Sequence, residues 1–154
     1  LRLSGMLHFD VTPEVNFVNI GERCNVSGSK RFCNIIKNND MEKAVDIARK
    51  QVESGAQLLD INFDEGMLDG PVIMKRFLNK LGANPEVATV PIVIDSSKFE
   101  ILEVGLKCTQ GKSVVNSLSL KNGEKEFLRR AKIVRRHGAA VIIMAFDETG
   151  HECL

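Results

Sequence analysis

The feature that most limits what this chain folds into is a series of short apolar runs with little polar interruption. FVNI (17–20), QLLDIN (57–62), PIVID (91–95), SVVNSLS (113–119) and AAVIIMAF (139–146) read as five strands. A strand with one wet face alternates apolar and polar residues. Near-continuous runs mark strands covered on both faces, as in parallel sheets. Parallel neighbours need a long crossover between them, usually a helix.

The sequence between the runs supplies those helices. DMEKAVDIARKQVESG places Ala44, Ala48 and Val52 on one face, opens on Asp40 as a helix N-cap and stops at Gly55. DGPVIMKRFLNKL sets Asp69 ahead of Pro71, an acceptable start. SKFEILEVGLK carries Ser97 and Glu100 at capping-box spacing, so Ser97 is expected as an N-cap. NGEKEFLRRAKIVRRHG aligns Phe127, Leu128, Ala131 and Val134, and ends in Arg135, Arg136 and His137 before Gly138. Those cations sit at the negative end of the helix dipole, so His137 needs no catalytic role. RRAKIVRR reads as a solvated helix face.

Alternation of this kind predicts parallel strands joined by right-handed crossovers. GAQLLDINFDEG (55–66) and GAAVIIMAFDETG (138–150) echo one another, which fits repeated βα units. An open doubly wound sheet and part of a (β/α)8 TIM barrel both satisfy the pattern. GERCNVSG, after the first strand, is not the glycine fingerprint of a dinucleotide-binding sheet. A whole barrel takes about 250 residues. The 154 residues here are therefore expected to supply about five strands, as the N-terminal part of a domain in a larger protein, with residues 1–15 as a lead-in. Such a partial barrel leaves a strand edge open to self-association.

Every strand ends on polar residues. The first gives Glu22, Arg23 and Asn25 before a Gly28-Ser29-Lys30 loop; the second gives Asp60, Asn62, Asp64 and Glu65. The third gives Asp95, Ser96 and Ser97, the fourth Asn116, Ser117 and Ser119, the fifth Asp147 and Glu148. In parallel α/β folds these ends share one mouth, where ligands bind. A carboxylate accepts a paired N–H and NH2 from a flat ring, and an amide both donates and accepts, so the rim suits a polar heterocycle such as a pterin. Asp64, Glu65, Asp147 and Glu148 also read as solvated loop acids. Asp95 and Asn116 are harder to dismiss, because each ends or interrupts an apolar strand, where a polar group without partners is costly.

Composition excludes other classes. A net charge of +1 gives no bias toward nucleic acid or anionic membrane, and no apolar run approaches a membrane span of roughly 20 residues. Cys24, Cys33, Cys108 and Cys153 form no C-x-x-C pair and read as reduced thiols.

NIGERCNVSGSK, QLLDINFDEGMLDGP, PIVIDSSKFEILEVGLKCTQGKSVVNSLSLKNGE and GAAVIIMAFDETG, in that order, resemble the folate-binding domain of cobalamin-dependent methionine synthases. More broadly they are similar to pterin-binding methyltransferases and dihydropteroate synthases. The resemblance covers almost the whole chain. It implies a cytoplasmic (β/α)8 barrel that binds 5-methyltetrahydrofolate at its mouth and passes the N5 methyl to cob(I)alamin on another domain, in methionine biosynthesis. It implies zinc in the parent protein, with no metal ligand in this chain. By resemblance Asp95 and Asn116 contact the pterin and carry the chemistry, and Gly28, Ser29 and Lys30 touch the folate. Glu22, Asn25, Asp60 and Asn62 match rim positions, and further pterin-contacting residues lie on strands beyond residue 154.

Three other readings stay open. A dihydropteroate synthase-like condensation would need a diphosphate and magnesium site, with which the Asn25 region is compatible. The isolated chain could be a non-catalytic folate-binding or structural fragment. A carboxylate-metal barrel would use Asp60, Asp64, Asp95 and Asp147.

Overall fold

A computed structural model of the chain describes residues 1–146. Asp147 and Glu148, the polar end expected for the fifth strand, lie outside the described residues, as does Cys153.

The chain opens with a hairpin, β1 (Arg2–Ser4) and β2 (His8–Asp10), over the segment expected as a lead-in. A five-stranded parallel sheet follows in strict sequence order: β3 (Ile20–Asn25), β4 (Leu58–Asn62), β5 (Ile92–Asp95), β6 (Val114–Leu118) and β7 (Ala140–Ile143). The crossovers hold α1 (Lys30–Lys37), α2 (Met41–Glu53), α3 (Gly70–Gly82), the short α4 (Pro85–Ala88), α5 (Phe99–Cys108) and α6 (Glu124–Arg136). Strands laid down one after another, with no reversal of order, are the topology of a (β/α)8 barrel rather than of a doubly wound sheet. The described residues form a partial barrel of that type.

The two faces of the sheet differ. Cys24, Ile61, Ile94 and Val115 stand at one level, fully buried against the helices. Phe32, Phe63 and Phe77 pack beside them, with ring centroids 5.5–5.9 Å apart. The other face is apolar only low down. There Leu58, Val93 and Val114 meet Leu3, with Phe9 of the hairpin packed against them. The hairpin is tied on by Ser4 N–H to Lys112 O (3.1 Å) and Lys112 N–H to Ser4 Oγ (2.8 Å). It closes the strands' N-terminal end, which leaves the C-terminal end as the open one.

Three expectations need correction. The first strand is not FVNI: it begins at Ile20 and runs through polar GERCN, while Phe17 is 75% exposed. As an edge strand it has one paired side, so only Cys24 has to be apolar enough for the helix-side core. The Gly28-Ser29-Lys30 segment is less a loop than a helix start, since Ser29 Oγ caps α1 by accepting from Phe32 N–H (3.2 Å). Ser97 does not cap α5. Lys98 holds that position without a side-chain cap bond, because the Ser97 hydroxyl is spent on Asp64. By contrast Asp40 and Asp69 cap α2 and α3 as expected, accepting from Lys43 and Val72 N–H.

Candidate functional site

Parallel pairing, unshifted from β4 to β6 and restored on β3 after an irregularity between Gly21 and Cys24, brings four strand-end residues into one row. Asn25 pairs with Asn62, Asn62 with Asp95, and Asp95 with Asn116. Their immediate predecessors face the helices, so strand alternation turns these side chains to the opposite face. On β7 the row ends in Ile142. Two residues before Asn62, Asp60 lies on the same face but one level lower, beside Val93 and, through it, Val114. A carboxylate is thus sunk into an otherwise apolar level.

That placement governs its ionisation. Burial pushes the Asp60 carboxyl up to about 7, and the charges of Asp95 and Glu22 push the same way; the Asn25 side chain works against them by hydrogen bonding. Asp95 is also raised, by burial first and by the Asp64 charge, while its bond from Asn62 opposes the shift.

The row is held by a closed set of bonds. Asn62 Nδ2 donates to Asp95 Oδ2 (3.0 Å), and Asn62 Oδ1 accepts from Asp64 N–H (2.8 Å). Asn62 is therefore only 7% exposed without an unmet polar group. Asn25 Oδ1 accepts from Ser27 and Gly28 N–H, both at 2.9 Å, which folds the loop after β3. The Asn116 backbone carbonyl accepts from Ser96 N–H (3.0 Å), and its side chain is left half-exposed on the open face. Asp95 spends one acceptor on Asn62 and keeps others for a ligand. The arrangement offers acceptors and amides in one row above Val93, Val114 and the Asp60 carboxyl, which suits a flat ring rich in N–H groups.

A family model described as pterin binding enzyme matches residues 21–153. The chain belongs to that family.

Within this pterin binding enzyme, the strand pairing unites Asn25, Asn62, Asp95 and Asn116, with Asp60 beneath, residues that the sequence spreads over four strands. Glu22 is exposed on β3, near enough for its charge to act on Asp60. Gly28 and Lys30 are exposed at the lip beside the half-buried Ser29. Asp64 and Ser96 were underrated. Asp64 read as a solvated acid, yet its carboxylate accepts from Ser96 Oγ, Ser97 N–H and Ser97 Oγ at 2.5–2.7 Å. The D-x-x-x-D spacing from Asp60 and the serine pair on the next strand end were the only available signals.

Among the described residues no group of three or more His, Cys, Asp and Glu side chains is placed to hold a metal. The carboxylate-metal reading loses Asp64 to the serines, and Asp147 lies outside the described residues. Cys24, Cys33 and Cys108 are unbridged, and burial pushes the Cys24 thiol up to about 12, so it is no nucleophile at neutral pH. No described helix is long and apolar enough to cross a membrane.

Proposed function

We propose that this chain binds the pterin ring of 5-methyltetrahydrofolate across Asp95 and Asn116, and that it supports transfer of the N5 methyl group to cob(I)alamin carried on another domain of a parent methionine synthase. The observation that carries the reading is the single row Asn62–Asp95–Asn116 on the open face. In it Asp95 accepts from the N–H and NH2 of the pyrimidine edge and sets the ring's orientation, a large part of such catalysis. Asn62 and Asn25 supply amides beside it, and Gly28, Ser29 and Lys30 form the lip along which the folate leaves the site.

A tertiary amine is a poor leaving group, so N5 has to gain a proton or a strong hydrogen bond by the transition state. Asn116 stabilises protonated N5 through its side-chain oxygen. As the N5–methyl bond breaks, its electron pair stays on N5. Asp60, near half-protonated at neutral pH, holds a proton just below the ring. Cob(I)alamin, when docked on the open face, would supply the nucleophile for the methyl group.

A specific observation disfavours the condensation reading. Asn25 Oδ1 already accepts two backbone N–H groups, which leaves it no lone pair for magnesium. The deciding assay adds cob(I)alamin and 5-methyltetrahydrofolate to the parent enzyme and follows the corrin absorbance. Loss of transfer by at least about a hundredfold in Asn116→Ala is expected from removal of one transition-state contact. Undiminished transfer in that variant, or magnesium-dependent binding of a pterin diphosphate, would overturn the proposal.

A further inference from the structure

Asp64 sits two residues past the end of β4, and its bonds tie its own loop to the loops after β3 and β5. Its carboxylate accepts from Ser96 Oγ (2.5 Å), Ser97 N–H (2.6 Å) and Ser97 Oγ (2.7 Å), all after β5. Its backbone carbonyl accepts from Ser27 Oγ (2.8 Å), after β3. Ser96 is buried, and its hydroxyl also accepts from Lys98 N–H (3.0 Å), so the clamp reaches the N-cap of α5. Hydrogen bonds to an ionised acceptor are the stronger kind, and this carboxylate takes three.

The backbone N–H of Asp64 does something different. It donates to Asn62 Oδ1, while Asn62 Nδ2 faces Asp95. An amide N–H only donates and a carboxylate only accepts. The Asn62 side chain therefore has one permitted orientation, with its oxygen toward Asp64 and its nitrogen toward Asp95.

We infer that Asp64 is a positioning residue for the ligand: by clamping the loops after β3, β4 and β5 it fixes the Asn62 amide, which in turn fixes the rotation of the Asp95 carboxylate against the bound ring. This rests on the reading that a pterin ring lies on Asp95. Its consequence is selectivity. A pterin shows a carboxylate two donors, N3–H and the 2-amino group. A lumazine has a 2-oxo group there, which sets oxygen against oxygen. Only a carboxylate held in the ring plane separates the two strongly, since a free one rotates away from the clash.

The test is calorimetric titration of the chain with 6-methylpterin and with 6-methyllumazine. Asp64→Asn keeps size and backbone but turns an NH2 group toward donors. Ser97→Ala removes only one hydroxyl from the clamp. The preference for pterin over lumazine is expected to fall about tenfold in Asp64→Asn and several-fold in Ser97→Ala, and not to fall further when Asp64→Asn is added to Asp95→Ala. Should Asp64→Asn not fold, the Ser97→Ala ratio decides. Equal weakening of both probes would make Asp64 a scaffold residue only and overturn the inference, as would an unchanged ratio. A wild-type chain with no preference for pterin would overturn the pterin reading itself and this inference with it.

Discussion

At Asp60 the sequence puts a carboxylate where register demands a side chain level with Val93. Its ordinary value is 3.8 and its folded value about 7, so between those pH values the native chain binds more protons than the unfolded one. Stability from this group therefore falls as pH rises through that window. Asn is an uncharged stand-in for the protonated acid. Asp60→Asn should gain thermal stability relative to wild type as pH rises from 5 to 8, read as a growing Tm difference; a constant difference would contradict the placement. The row position of Asp95 and Asn116 was legible because each breaks an apolar run, and a buried polar group has to have a use or a partner. Asp64 was not, because its partners Ser96 and Ser97 come from a strand more than thirty residues away, and no local pattern signals such a bond.

Among the elements, the strands legible in sequence are those with neighbours on both sides. β4, β5 and β6 are pressed between helices and lumen, and their apolar runs say so. β3 escaped detection over most of its length because an edge strand tolerates Glu22 and Arg23, and its unpaired Arg23 N–H is met by Gln51 Oε1 (2.8 Å). α1 went unread since only Phe32 and Ile36 of its eight residues are buried, too short a stripe to declare a period. The seat of α5 on β5 gives a sharper test. A Cβ on Gly105 would stand 2.5 Å from Ile94 Cγ2, so the helix lies as close as a glycine permits. Gly105→Ala should cost about 1–3 kcal/mol in urea unfolding, through overpacking, despite the better helix propensity of alanine. A stabilised variant would mean that the helix is seated less closely than described.

For the whole molecule, the parallel order and the common mouth could be read from alternating runs and polar strand ends, while the hairpin that closes the other end could not, its strands being three residues each. The two sheet edges are unequal. β3 is charged and shifts register, whereas β7 exposes Val141, Ile142 and Ile143, the last at 52%. Exposed apolar edges pair with other chains. Ile143→Lys should reduce concentration-dependent self-association in sedimentation velocity, and an unchanged distribution would contradict an edge-driven contact. The central claim is that the row on the open face binds the pterin ring, and calorimetric titration with 5-methyltetrahydrofolate tests it most directly. Saturable binding that falls at least about tenfold in both Asp95→Ala and Asn116→Ala, with fold verified by circular dichroism, is the result the account predicts. Binding that survives both substitutions intact, or no binding by the folded chain, would contradict it.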